Sequence, residues 1–346
     1  MNPTRRHILG ALPAALALET CFIPFGPVVA QRTKARAKVA LLAPLTGPSA
    51  AIGLSMQRAA LLAQAPGAKA DDLIVADTAG GAAAAAKLAV KRGARIIIGP
   101  LFAADTRAVL GAVDAAIPVL TLSNDESLAG SGAFLMGITA TQSVTAILRY
   151  ARSRGVRRVA VLSGESPWAA RGMAAATSLG AGLGLDIVSV ANTPDLPAAL
   201  RRAGKGELPD ALLVTEPGDA LRAVAQATTG LNVQLLGSQQ SLDRAVPGAA
   251  GAWVAGPDPR RMGEFADRYQ VRSGGIPGSI AALAFDAANI AELLGRSGAV
   301  DRSILLGGTA FPAITGPIRF LADGTATREL AILVAGPDGF TATDRA

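Results

Sequence analysis

Short β-branched apolar runs alternate with amphipathic stretches along almost the whole chain, and this alternation leaves few folds open. Val39 to Pro44, Leu73 to Ala76, Arg95 to Ile98 and Val119 to Leu122 have the length and composition of strands. Between them, Gly53 to Gln64, Ala82 to Lys91 and Asp105 to Ala115 carry helical spacing. A continuous run such as Ile96-Ile97-Ile98 suits a strand buried on both faces, and strands that alternate with helices build a parallel sheet. The pattern then restarts. Thr141 to Arg154 is helical, with Val144, Ile147, Leu148 and Ala151 on one face. Strands follow at Val159 to Leu162, Asp186 to Ala191, Ala211 to Thr215 and Val233 to Leu236, with helices at Pro167 to Gly180, Leu196 to Arg202 and Asp219 to Thr228. At 346 residues the chain exceeds the usual single core, so two α/β units are expected. Helices take over at Glu264 to Arg272 and Ser279 to Arg296. The segment Gly316 to Thr325, followed by Glu329 to Ala335, reads as a hairpin turning at Asp323-Gly324.

Residues 1–30 read as an export signal. Thr4-Arg5-Arg6-His7-Ile8-Leu9 is a basic start, an apolar stretch runs to Leu18, and Val28-Val29-Ala30 precedes a cleavage point at Gln31. Glu19 and Pro24 interrupt a stretch already too short to span a bilayer, which needs about 20 apolar residues. The arginine pair resembles a twin-arginine signal, so export in the folded state and export unfolded both stay open. Lipid attachment at Cys21 is a third option, since Leu18 and Cys21 fit a lipobox while Glu19 and Thr20 do not.

The only histidine, His7, and the only cysteine, Cys21, both lie in this leader. The exported chain then contains no imidazole and no thiol. That excludes Ser–His–Asp and Cys–His nucleophilic catalysis, zinc sites built on His or Cys, and any disulfide. Cleavage also removes Arg5, Arg6 and Glu19, leaving an excess of about six positive charges, nearly all arginine. Arginine pairs such as Arg157-Arg158, Arg201-Arg202 and Arg260-Arg261 are dispersed, with no aromatic nucleic-acid motif beside them, so nucleic acid is not expected as a partner. No Gly-x-Ser-x-Gly elbow, Ser-x-x-Lys pair, P-loop or complete dinucleotide fingerprint occurs. Asp71-Asp72 precedes a strand and reads as a turn rather than a metal site. Neither an enzyme nor a bound metal or cofactor is expected.

Five segments in order resemble type I periplasmic binding proteins of the leucine-binding branch. They are Val39 to Gly53, Asp77-Thr78 with the helix and the Gly93 to Pro100 run after it, Ile117 to Asn124, Phe285-Asp286-Ala287-Ala288, and Thr315 to Gly324. The resemblance implies two Rossmann-like α/β lobes with parallel sheets, joined by three crossovers and closing on a small molecule. It implies a first lobe of residues 37–139 plus 258–312 and a second of 140–257 plus 313–346.

Ligands of open parallel sheets lie beyond the carboxyl ends of the strands. The loops there are Leu45 to Ile52, Leu101 to Thr106, Ser123 to Ser127, Ser163 to Trp168, Glu216 to Asp219 and Ser238 to Ser241. In the amino-acid site that the resemblance implies, the hydroxyl that holds the ligand carboxylate falls at Ala103, with Thr106 one turn on. The threonine of the next loop falls near Asp125, beside Ser123 and Asn124. The aromatic of the second lobe falls at Trp168, and the acidic partner of the ligand amine falls near Gln239. Ser49 and Glu216 complete the candidate ligand-binding set, Asp125 or Glu216 being able to hold an amine instead. Each hydrogen bond to a charged group is worth roughly 1.5–3 kcal/mol, so the missing partners weaken binding of a simple zwitterion.

Two functions follow from the resemblance. The first is a solute-binding protein that delivers an amino acid or related small polar ligand to the membrane permease of an ABC transporter. The second is a non-transport interaction protein, because Gly99 to Ala104 with Ser123-Asn124-Asp125 resembles penicillin-binding-protein activators, whose partner is a cell-wall synthase.

Overall fold

The computed structural model describes residues 36–64, 72–242, 248–297, 300–337 and 339–343. The export signal, with His7, Cys21 and the cleavage point, lies outside the described residues, as does Asp71.

The first sheet holds β1 (Lys38–Ala43), β2 (Leu73–Asp77), β3 (Ala94–Ile98), β4 (Val119–Thr121) and β5 (Phe134–Leu135). All are parallel, in the order β2-β1-β3-β4-β5. Strand alternation splits its core in two. Val39, Leu41, Ala43, Ile96 and Ile98 face α1 (Ala50–Leu62) and α9 (Ser279–Ser297). Ala40, Leu42, Ile74 and Ile97 face α2 (Ala82–Lys91) and α3 (Ala103–Leu110). Both faces are covered, which is why the strands read as unbroken apolar runs.

The second sheet repeats the plan with β6 (Arg158–Leu162), β7 (Asp186–Val190), β8 (Ala211–Val214), β9 (Gln234–Gly237) and β10 (Trp253–Gly256). Val159, Val161, Leu213 and Leu236 pack against α4 (Ala140–Ser153) and α5 (Pro167–Leu183). Ala160, Leu162, Leu212 and Val214 pack against α6 (Leu196–Ala203) and α7 (Ala220–Ala227). Local chemistry starts and stops these helices. Thr139 and Gln142 form a capping box at α4, and Ser166 caps α5 ahead of Pro167. Gly184 ends α5 in the left-handed conformation. A further helix, α8 (Pro259–Ser273), precedes α9, and a single turn, α10 (Arg302–Leu305), follows it.

The expected hairpin is only half as the sequence reads. Its arms are β11 (Ile318–Phe320) and β12 (Ala326–Arg328), with Asp323 and Gly324 in the turn. The run from Ala331 does not form the second arm. It becomes β13 (Ala331–Gly336), antiparallel to β10, and β14 (Gly339–Ala342) adds outside it. The reason is burial. Ile332 joins one core of the second sheet and Ala335 the other, whereas a two-stranded hairpin could cover one face at most.

The hairpin also moves a lobe boundary. Ile318, Phe320 and Ala326 belong to the core of the first sheet, and Phe320 meets Phe134 edge-on at 5.2 Å. Residues 313–328 therefore pack with the first sheet rather than the second, and the chain returns to the second sheet only at 329–331. The earlier passages between sheets lie at 136–139, before α4, and at 257–258, before α8. Among the described residues no helix is long and apolar enough to cross a membrane.

Candidate ligand cleft

The loops beyond the carboxyl ends of both sheets are shaped by short-range polar bonds. After β1, the chain is held by Asp77 at the end of β2. Its carboxylate accepts the Leu45 N–H at 2.8 Å, the Ala79 N–H at 3.0 Å and the Thr46 hydroxyl at 2.5 Å. These bonds, the Thr46 hydroxyl foremost, hold the Asp77 carboxyl below the usual range. Ser49 then sits at the N-cap of α1, half-buried, and its side chain makes no capping bond.

After β3, Ala103 opens α3 with only a methyl group to offer. Thr106 is fully buried. Its hydroxyl lies 2.7 Å from that of Thr121 and 3.0 Å from the Phe102 carbonyl. Thr121 in turn donates to the Pro100 carbonyl and accepts the Ser123 N–H. Thr106 thus ties α3 to the carboxyl end of β4, buried inside the lobe because helical phase turns it toward the sheet.

After β4, Ser123 is buried, and its hydroxyl accepts the Asp125 N–H at 3.2 Å. Asn124 is exposed. Asp125 caps the short turn Glu126–Leu128 by accepting the Ser127 N–H at 2.9 Å. Its carboxyl is held below the usual range, first by Ser127 and more weakly by Arg107 and Arg171. Arg107 reaches the same loop, donating to the Ser127 hydroxyl at 2.6 Å. Gly137 allows the first crossover to run against this loop, since a Cβ there would stand 2.3 Å from the Ser123 carbonyl oxygen.

In the second lobe, Trp168 lies in the first turn of α5. Its indole N–H donates to the Ser238 hydroxyl at 3.1 Å, so the ring is laid across the ends of β8 and β9. Ser238 is fully buried, and Gln239 is nearly so, its backbone N–H held by the Ser143 hydroxyl of α4 at 2.9 Å. The Glu216 carboxylate accepts the Ser166 N–H at 3.2 Å across Gly164, where a Cβ would stand 2.1 Å from that carboxylate oxygen.

The structure thus gathers Trp168, Ser238 and Gln239 at one end of the second sheet, with Glu216 beside them. Ser123, Asn124 and Asp125 form one loop of the first lobe. Arg171, one turn after Trp168 on α5, is the weakest of the groups that lower the Asp125 carboxyl. Arg107, Arg171 and Ser143 were not among the residues expected from the sequence. Arg171 could have been found from its i, i+3 spacing to Trp168, whereas Ser143 is reached only through α4 packing. Two cavities adjoin the cleft. One of about 750 Å³ opens beside Ser163, Gly164, Thr193 and Glu216. One of about 790 Å³ separates α4 from the hairpin, along Gln142, Thr145, Arg149, Leu321 and Leu330.

Chemically, the expected clamp positions offer little to a zwitterion, although the hydroxyls of Thr193, Thr215 and Ser241 at the same edge are buried without a partner among the described residues. Asp125 and Glu216 already receive protein N–H donors, Thr106 is sealed inside its lobe, and Ala103 and Gln239 carry no charge. Phe102, Asn124 and Arg171 are exposed here, and Ser49, Trp168 and Glu216 are half-buried.

Residues 36–339 match the sequence profile of a family described as periplasmic binding proteins. No curated protein matches the chain by sequence. Among solved structures, the LpoA C-domain from Haemophilus influenzae, described as a regulator of PBP1A, is similar with a TM-score of 0.70 and 16% identity. That match covers 89% of this chain and 100% of that one. Full-length LpoA from the same organism matches with a TM-score of 0.71 and 16% identity over 91% of this chain, which spans 60% of LpoA. A protein described as a putative branched-chain amino acid ABC transporter from Rhodospirillum rubrum matches with a TM-score of 0.74 and 19% identity, over 89% of this chain and 100% of that one. At these identities the likeness is one of fold. Two parallel-dominated α/β lobes with facing carboxyl edges, matched over residues 36–339, make this chain a member of the periplasmic binding protein family.

Proposed function

We propose that this protein is a non-enzymatic regulator in the periplasm that acts on a partner protein, a cell-wall synthase, and does not carry an amino acid to a permease. One observation carries the reading: the positions that should hold a ligand carboxylate and amine carry Ala103 and Gln239, and Thr106, the nearest hydroxyl, is bonded within its own lobe. A carboxylate ligand would meet Ala103 where a hydroxyl is needed. An amine would meet buried, neutral Gln239 where a carboxylate is needed, and one oxygen of Asp125 is already engaged by the Ser127 N–H. The likeness to LpoA supports the same reading. The order of the two functions drawn from the sequence is thereby reversed.

The test has two parts. Glycan polymerisation by a purified bifunctional penicillin-binding synthase is measured with and without the protein, and thermal unfolding is measured against amino acids, amides, polyamines and cell-wall fragments. The expected result is a changed polymerisation rate with no shift from any amino acid. A saturable amino-acid shift would overturn the reading, since ligand at 100 times its Kd stabilises by about 2.7 kcal/mol.

The second reading, a solute-binding protein for an ABC permease, is favoured by Trp168. Its ring is pinned by Ser238 at the carboxyl edge, where a platform for a small ligand would be. The same thermal experiment decides between them.

A further inference from the structure

The chain is poor in lysine, yet Lys34, Lys38, Lys69, Lys87 and Lys91 all fall by residue 91 and only Lys205 lies elsewhere. The fold gathers three of these at one place. Lys38 begins β1 and is paired in register with Ala94, while Lys91, Arg92 and Arg95 form the turn from α2 into β3. Lys87 lies one turn back on the exposed face of α2, and all but Lys38 are exposed. None of the five makes an ion pair among the described residues. The described carboxylates at this amino edge are Asp72, Asp114 and Glu292. Asp114 caps its own loop, and Glu292 is already paired with Arg36 and Arg296.

The opposite, carboxyl edge of the same sheet has the reverse sign, with Asp77, Asp105, Asp125 and Glu126 against Arg107. A helix C-terminus favours one or two cations in its last turn, which accounts for Lys91 and Arg92 but not for Lys38 and Arg95 on strands. The described fold begins at this same edge: Arg36 pairs with Glu292, and the Ala37 N–H donates to the Gly295 carbonyl.

We infer that the amino edge of the first sheet, through Lys38, Lys87, Lys91, Arg92 and Arg95, is a docking face for an anionic lipid surface. Basic side chains held at a surface are drawn to anionic headgroups, and salt screens the attraction over a Debye length of about 8 Å at physiological ionic strength. With that edge against lipid, the cleft at the other end of the strands points away from the membrane, open to whatever it binds. The inference holds under either reading of the cleft. The second lobe provides an internal comparison. Arg201, Arg202 and Lys205 end α6 at its own amino edge, far along the chain from residue 36.

The experiment is co-sedimentation of the full chain with phosphatidylcholine vesicles, with and without about one-third phosphatidylglycerol, at low and high salt. The neutral-vesicle signal gives the apolar contribution of the leader, and Arg5 and Arg6 are common to every variant, so their attraction cancels in the comparison. The triple variant Lys91→Glu, Arg92→Glu, Arg95→Glu should lose about tenfold in binding to anionic vesicles. The charge-matched triple Arg201→Glu, Arg202→Glu, Lys205→Glu should lose less than about twofold. If the first triple is poorly folded by circular dichroism, glutamine at the same three positions should give a smaller loss of the same kind. Equal losses from both faces would show a response to net charge alone and overturn the inference, as would equal binding to neutral and anionic vesicles.

Discussion

Asp286 and Arg328 join the late helix, the hairpin and the first crossover through one hydroxyl. Asp286, buried on α9, accepts the Ile314 N–H at 2.8 Å, the Thr315 N–H at 3.0 Å and the Thr315 hydroxyl at 2.5 Å. Arg328 donates to that hydroxyl and to the Met136 carbonyl. Burial lowers the Arg328 guanidinium to about 10, with Asp286 opposing the shift. Burial also raises the Asp286 carboxyl, against its hydrogen bonds and Arg328. Arg328→Met should cost about 3 kcal/mol in urea unfolding, the lower end for breaking a buried pair, since Arg328 is half-buried. The sign with pH follows from the raised carboxyl. The folded state keeps a proton that the unfolded chain releases, so this group's contribution is fully present below the unfolded value near 3.8 and declines as pH rises through the folded one. Without Arg328 that decline should extend to higher pH, which urea midpoints from pH 4 to 7 would show. In the cleft, Trp168→Phe leaves the fully buried Ser238 hydroxyl without its donor and should cost about 1–3 kcal/mol. Adding Ser238→Ala should cost little more, so a double-mutant cycle would show a coupling of about 1 kcal/mol.

Among the elements, α4 has the most to coordinate. It starts where the first crossover ends, and its capping box is read directly in Thr139 and Gln142. The Gln142 side chain also reaches the Ala326 carbonyl of β12, and Glu126 accepts the N–H and hydroxyl of Thr141. The start of a second-lobe helix is thus bonded to two pieces of the first lobe. Thr139→Ala should destabilise by about 1 kcal/mol in chemical denaturation, and Thr139→Ser should restore most of it. Strand and helix identities were legible for most of the chain because period and burial agree in a doubly covered sheet. They were less legible at β5, only two residues long, and at β10, where Trp253-Val254-Ala255-Gly256 lacks a β-branched run. The hairpin turn was legible in Asp323-Gly324, but the partner of Ala331 to Gly336 was not. Which edge a strand joins depends on β10, nearly eighty residues away.

For the whole molecule, the first lobe is discontinuous in sequence. Its core needs Ala281 to Leu294 from α9 and Ile318, Phe320 and Ala326 from the hairpin as well as β1 to β5. Residues 36–139 alone should therefore show weak circular dichroism and no cooperative melting. Joining them to 258–328 should restore both, and cooperative unfolding of the short fragment would contradict this account of the core. The candidate cleft was legible as a set of loops, since carboxyl ends of parallel strands follow from strand order. It was not legible as a set of available groups. Thr106 is a hydroxyl in the expected loop, yet the phase of α3 points it at Thr121. Asp125 is a carboxylate in the expected place, yet the turn that follows it supplies its own donors.

Sequence alone determined the doubly covered parallel sheets, the loops that can reach a ligand, and the absence of any thiol or imidazole beyond residue 21. These depend on period, composition and residue identity, which are local. Tertiary structure alone decided which polar groups are already satisfied, where the last strands pair, and how Lys38 comes to lie beside Arg95. Hydrogen-bond saturation and charge clustering are set by contacts between segments distant in the chain, and no local pattern encodes them.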